Sequence, residues 1–271
     1  MKHVLILMMA LGATLSRAAD ATGTVTNSLG MRFVPVKGTE ALFSVWETRV
    51  KDYAAYAAAN EGVNSAWKNP TYNQQAVTPD ETCPVVNVCW EDANAFCEWL
   101  TRKERAEGRL GPGQSYRLPT DAEWSVAVGL GPEHGNTPEE KDAKIKDLYP
   151  WGRQWPPPQG AGNYADATLK TKFRGSRVID GYRDGYATTA PVGSFDANQF
   201  GLFDMGGNVW EWCEDLYKSG SDRVLRGGSW LHHDPDYLLS SRRLDGGTGG
   251  QGLMGFRCVL AGAASAGKGR R

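Results

Sequence analysis

The chain has 271 residues, of which 41% are hydrophobic, 23% charged and 10% aromatic, with 30 Lys and Arg against 31 Asp and Glu. The balanced charge, with no basic stripe, excludes a nucleic-acid-binding face. The aromatic content excludes a disordered chain, and five cysteines are too few for a disulfide-built scaffold. Glycine, at 33 residues, is about 12% of the chain against roughly 7% in ordinary proteins. Together with ten tryptophans, it points to a turn-rich chain pinned by large aromatic anchors.

The N-terminus reads as a secretory signal over residues 1–18. Lys2 supplies the positive end, residues 4–15 are apolar, and Ser16 and Ala18 place small residues for cleavage after Ala18. The apolar run is shorter than the roughly 20 residues a membrane-spanning helix needs, so a secreted or periplasmic, non-spanning protein is expected. A polar leader over 19–26 follows, then a single domain over 27–260 and a flexible tail over 261–271. Within the domain, two strands around a Lys37-Gly38 turn come first. A helix over 48–59 is predicted by Val50, Tyr53, Ala54 and Ala57 at helical spacing. A second, over 91–107, buries Ala93, Phe96, Cys97 and Leu100. A third starts at Thr120-Asp121-Ala122-Glu123, a capping box in which Thr and Glu each satisfy the other's backbone amide. Residues 131–148 are charged and read as an exposed insertion. Residues 152–200 show little periodicity, and a loop that long needs something to hold it.

Three segments carry candidate chemistry. Asp204-Met-Gly-Gly-Asn-Val-Trp-Glu211 offers two carboxylates around a Gly-Gly that exposes carbonyls, and Asn163 and Asp184 could tie the irregular stretch in the same way; such oxygens suit calcium. His232, His233, Asp234 and Asp236 form a polar run, but adjacent residues of an extended chain point opposite ways, so a surface loop is expected rather than a chelate. Ser229 lacks the strand–turn–helix context of a nucleophile and reads as a turn serine. No phosphate-binding glycine loop occurs. The five cysteines leave at least one thiol without an intrachain partner.

Read in order, several runs resemble the formylglycine-generating enzyme, or sulfatase-modifying factor, family. They are Asn27-Ser-Leu-Gly-Met-Arg-Phe-Val-Pro-Val36, Trp46-Glu-Thr-Arg49, Pro84-Val-Val-Asn-Val-Cys-Trp-Glu-Asp-Ala93 and Phe96-Cys-Glu-Trp99. Arg117-Leu-Pro-Thr-Asp-Ala-Glu-Trp124, Tyr149-Pro-Trp-Gly152 and Ala190-Pro-Val192 follow, then Gly201-Leu-Phe-Asp-Met-Gly-Gly-Asn-Val-Trp-Glu-Trp212, Arg226-Gly-Gly-Ser-Trp230 and Gly255-Phe-Arg-Cys258. The resemblance implies an α+β fold, the family's variant of the C-type-lectin-like fold with little regular secondary structure. It also implies two calcium sites. One uses Asn163, the Tyr164 carbonyl, Asp184 and the Tyr186 carbonyl; the other uses Asp204, the Gly207 and Val209 carbonyls and Glu211. It further implies a disulfide between Cys97 and Cys258.

The catalytic branch of that family holds copper on two cysteines after the Gly-Gly-Ser motif and oxidises a substrate cysteine to formylglycine. Here those positions carry His232 and Tyr237, with Trp210 and Ser229 lining the same pocket, and no cysteine lies between Cys213 and Cys258. Cu(I) and the redox step both call for thiolates, which argues against copper as a cofactor. A further branch, of iron enzymes, carries an additional helical domain for which this chain has no room. A third consists of ligand-binding variants whose loop after Gly-Gly-Ser-Trp tolerates diversification. The expectation is therefore an exported, calcium-stabilised binding module for a protein, peptide or small-molecule ligand. Its surface would lie in 230–254, on Trp230, His232, His233, Asp234, Asp236, Tyr237 and Arg243, with Arg242 and Arg257 in the buried framework. The alternative is a metal-dependent oxidoreductase or sulfatase-activating factor that uses His232 and His233 in place of the cysteine pair.

Overall fold

The computed structural model describes residues 23–247 and 252–262. The expected signal and the first half of the leader lie outside the described residues, as do 248–251 of the variable segment and 263–271 of the tail.

In chain order the strands and helices are β1 (Val25–Thr26), β2 (Arg32–Pro35), β3 (Leu42–Ser44), α1 (Val50–Ala59), β4 (Thr71–Tyr72), β5 (Gln75–Ala76), α2 (Trp90–Ala106), β6 (Ser115–Arg117), α3 (Asp121–Val128), α4 (Pro138–Lys141), α5 (Ala167–Lys172), β7 (Trp210–Leu216), β8 (Arg223–Arg226), β9 (Leu244–Asp245), β10 (Met254–Gly255) and β11 (Val259–Ala261). The fold is thus α+β with short elements and long irregular connections. An antiparallel sheet in the order β1-β2-β3-β11-β6 brings the last strand between the early hairpin and the middle of the chain. A second sheet, β10-β7-β8-β9, carries the functional loops; β10 runs parallel to β7 and the other pairs are antiparallel. β4 and β5 form a separate hairpin.

Local chemistry accounts for the three predicted helices. The α3 box forms: the Glu123 amide donates to Thr120 Oγ1 at 3.1 Å, and the Thr120 amide donates to Glu123 Oε2 at 2.9 Å. α2 buries Ala93, Phe96, Cys97 and Leu100 as its period requires. α1 starts two residues later than its apolar spacing suggests. Thr48 is held out of the helix because its amide donates to the Phe256 carbonyl and its own carbonyl accepts from Val85. Cys97 of α2 meets Cys258, just before β11, with the two sulfurs 3.4 Å apart and both residues buried.

Residues 131–148 are not the free insertion their composition suggests. Ile145 and Leu148 pack against the core, the Ile145 amide and carbonyl both bond the Ser241 hydroxyl, and Glu133 pairs with Arg243. Four tryptophans, Trp124, Trp210, Trp212 and Trp230, are among the largest fully buried side chains, and so are three arginines, Arg226, Arg243 and Arg257. The guanidiniums are tolerated inside because each is paired. Asp121 receives Arg226 and Arg243, Glu133 receives Arg243, and Glu211 receives Arg257. Burial alone would raise the Asp121 carboxyl, but the two facing guanidiniums hold it below the usual carboxylate range.

Candidate functional site

The loop after β8 folds back over the start of β7 and builds one compact cluster. Ser229 is buried, and its Oγ lies 2.8 Å from His232 Nδ1, while the His232 amide donates to the Ser229 carbonyl. The imidazole meets the Trp210 ring edge-on at 5.3 Å and stacks on Tyr237 at 5.2 Å. Tyr237 closes a single 3₁₀ turn, Pro235–Tyr237, whose start is capped by the Asp234 carboxylate accepting the Asp236 amide. The Arg242 guanidinium lies over the Tyr237 ring, 4.8 Å from its centre. Burial first, then electrostatic interaction with neighbouring His233, pushes the His232 imidazole down to about 4. It is therefore neutral at physiological pH and a weak base, and its partner Ser229 is shut off from solvent. The pair locks the loop and has neither the basicity nor the exposure of a nucleophile and its general base.

The four pocket positions Trp210, Ser229, His232 and Tyr237 thus come together. His233 is half-buried, whereas Asp234, Asp236 and Tyr237 are exposed, with Asp236 paired to Lys146 at 3.2 Å. Two of the expected ligand-facing residues do not reach the surface. Trp230 is buried, its indole N–H donates to the Gly252 carbonyl, and Tyr72 packs edge-on against its ring. Arg243 is fully buried against Asp121 and Glu133, so it belongs to the framework. Its neighbour Arg242, expected inside, is the half-exposed one and pairs with Asp142 at 3.1 Å. Arg257 is buried as expected, its guanidinium on Glu211.

The two expected cation sites lie on either side of Asn208. Around the first, the Tyr164 and Tyr186 amides donate to the two oxygens of Asp184 at 2.9 and 2.8 Å. Burial, with a contribution from nearby Asp166, pushes the Asp184 carboxyl up to about 7. Asn163 is buried and both its amide hydrogens are used, one on the Thr188 carbonyl and one on Asn208 Oδ1; its own Oδ1 has no partner. At the second, Asp204 Oδ2 accepts the Gly193 amide and Asp204 Oδ1 is buried without a partner. Burial pushes this carboxyl up to about 6, with Glu211 adding to the shift and Arg257 opposing it. Gly207 passes so close to Asn163 that a Cβ there would stand 2.4 Å from the Asn163 carbonyl oxygen, and only glycine fits. The unpaired oxygens, with desolvated carboxylates beside them, fit a hard cation that takes oxygen ligands. Among the described residues no three His, Cys, Asp or Glu side chains gather to hold a metal; the two expected sets mix one or two carboxylates with main-chain carbonyls and, in the first, an amide oxygen.

Sequence reasoning passed over three features. Glu47 is fully buried, accepting the Val209 amide and the Asn208 side chain. Burial, with nearby Asp204 and Glu211, pushes its carboxyl well above the usual range. Asn208 was visible only as the residue between two expected carbonyl ligands. A cavity of about 450 Å³ beside Asp204 is bordered by Tyr149, Trp151, Asp196 and Asn198, with exposed Trp155 packed against the first two rings.

Comparison with known proteins gives this architecture a family. The sulfatase-modifying factor enzyme 1-like domain matches residues 18–261. The formylglycine-generating enzyme of Thermomonospora curvata is 30% identical over 215 residues, 71% of this chain and 60% of its own length. The inactive C-alpha-formylglycine-generating enzyme 2 of Mus musculus is 32% identical over 168 residues, 61% of this chain and 43% of its own. The chain thus matches about half the length of these curated relatives. Among solved structures, PvdO from Pseudomonas aeruginosa aligns over 82% of this chain and 80% of its own, with a TM-score of 0.54 at 22% identity. CarF aligns over 82% and 86%, with a TM-score of 0.55 at 24% identity, and both likenesses concern the fold. The chain belongs to the sulfatase-modifying factor enzyme 1-like domain family.

Proposed function

We propose that this chain is an exported, calcium-braced binding module that does not carry out formylglycine formation. The observation that carries the reading is the His232 cluster. Where the resemblance puts two copper-binding thiols, the chain has an imidazole tied to Ser229 and wedged between Trp210 and Tyr237, and a phenol stacked on it. Neither group supplies the soft, redox-active thiolate that the reaction calls for. A relative whose name marks it as inactive matches the chain alongside those named as enzymes, which supports a non-catalytic role on this fold.

The ligand surface follows from what is exposed above that cluster, Asp234, Asp236 and Tyr237, with half-buried His233 and Arg242 at its edge. Such a mix of aromatic, acidic and basic groups on a loop suits recognition of a polar protein, peptide or small molecule. Calcium at the two oxygen-rich sites would brace the irregular 152–200 stretch that carries Asn163 and Asp184. After incubation with excess copper and dialysis, the protein is expected to retain far less than one equivalent. Stoichiometric copper or iron, lost on replacing His232 with alanine, would favour the oxidoreductase reading instead.

Export also bears on Cys97 and Cys258, whose sulfurs stand 3.4 Å apart. In an oxidising compartment they are expected to pair. With ends 161 residues apart, the bridge would stabilise the fold by up to about 5 kcal/mol in the chain-entropy account. Non-reducing peptide mapping of protein secreted by its host should recover a Cys97–Cys258 cross-link. Recovery of both residues as separately alkylated thiols would contradict the pairing.

A further inference from the structure

The two cation sites share one residue. Asn208 is fully buried, with a positive φ of 56°, and every polar group it has is engaged. Its amide donates to the Asn163 carbonyl at 2.9 Å, and its carbonyl accepts the Trp230 amide at 2.9 Å. Its side-chain oxygen accepts the Ala190 amide at 2.9 Å and an Asn163 Nδ2 hydrogen at 3.1 Å. Its side-chain nitrogen donates to Glu47 Oε2 at 2.7 Å and to the Ala190 carbonyl at 3.3 Å.

This arrangement dictates which way two amides face. The Ala190 N–H requires an acceptor and the Glu47 carboxylate requires a donor, so the Asn208 amide has one orientation. Its oxygen also accepts one Asn163 Nδ2 hydrogen while the Thr188 carbonyl accepts the other, and this leaves the Asn163 oxygen as the unpartnered atom of the first site. On the other side, Glu47 Oε1 accepts the Val209 amide at 3.2 Å and fixes the peptide that joins Asn208 to a ligand of the second site. The Asn208 backbone lies directly between the Gly207 and Val209 carbonyls of that site. Both ligand sets thus adjoin one hydrogen-bonded network centred on Asn208.

Resting on the calcium reading above, we propose that Asn208, backed by Glu47, is a positioning residue shared by both sites, so that a divalent cation at one raises the affinity of the other. The cost of ordering the shared amides and peptides is met by the first ion, and the second binds to a network already in place. The Trp230 amide bond carries the same ordering to the loop that holds Ser229 and His232.

The test is a calcium titration by calorimetry, with native mass spectrometry counting the ions per chain. Asp184→Ala isolates the second site and Asp204→Ala isolates the first. The two-ion binding constant of the unmodified protein should exceed the product of the two isolated constants by about fivefold or more, in the range of ordinary coupling. By thermodynamic reciprocity, each site must strengthen the other by the same factor. Asn208→Gly keeps a backbone that accepts positive φ and should bring that factor to one, with the ligands themselves intact. Glu47→Gln, which deprives one of two donors of its acceptor, should do the same and serves if the glycine variant does not fold. Two ions bound with a factor of one or below overturn the coupling while leaving the calcium reading standing. Fewer than two ions bound to the unmodified protein overturn both.

Discussion

Arg243→Ala is expected to cost about 3–5 kcal/mol of folding stability, while the same replacement at the next residue, Arg242, costs about 1 kcal/mol or less. The two side chains differ only in which way the chain turns them. Arg243 is buried and reaches Asp121 at 3.0 Å, Glu133 at 2.7 Å, the Ser125 hydroxyl and the Ser241 carbonyl. Removing it strands Glu133 in a buried position and leaves Asp121 with Arg226 alone. Arg242 makes a partly solvated pair with Asp142 and lies over Tyr237, and water replaces much of what it loses. Asp121 and Glu133 are both held below their ordinary values, so the network contributes fully above the unfolded carboxylate range. It is lost as the pH falls through the folded values. Urea unfolding at neutral pH reads the difference as a large shift in midpoint for Arg243→Ala and a small one for Arg242→Ala. Equal shifts would place Arg243 back on the ligand surface.

The second large effect concerns calcium. A ligand that binds only the folded state stabilises it by about 2.7 kcal/mol at a hundredfold excess over its Kd. For a domain of this size each kcal/mol moves Tm by about 2–4 °C. Chelating calcium from a protein with both sites filled should therefore lower Tm by about 10–20 °C, and calcium should restore it where magnesium does not. Asp204→Ala should remove a large part of that response. It is a cleaner probe than a change at Glu211, whose carboxylate also holds the buried Arg257 and the Trp124 indole. A Tm that ignores chelation would defeat the calcium reading.

What could be read from the residues alone follows from how local each determinant is. The α3 cap was legible because Thr120 and Glu123 satisfy each other within one turn. The α2 stripe was legible because its period survives whatever it packs against. The orientation of Arg242 and Arg243 was not, since successive side chains of an extended segment point to opposite sides. What selects Arg243 for the interior is Asp121 and Glu133, more than a hundred residues earlier. Trp230 was misplaced for the same reason, as it packs on Tyr72 from the distant β4 hairpin. In residues 131–148 the composition was right about solvent but silent about three anchors, Glu133, Ile145 and Leu148. The pocket itself was found by position in the motif series. Its chemistry emerged only when Trp210 and Tyr237 were seen to close on His232, whose burial keeps it neutral despite the opposing Ser229 bond.

Non-catalysis is most directly examined by offering the reaction its substrate. The calcium-loaded protein is incubated with copper, oxygen, a thiol reductant and a cysteine-containing sulfatase peptide, beside an active family member as control. Mass spectrometry then follows the peptide cysteine. The His232–Tyr237 pocket predicts that the cysteine is unchanged while the control converts it. Turnover of that cysteine to formylglycine, abolished by His232→Ala, would contradict the account.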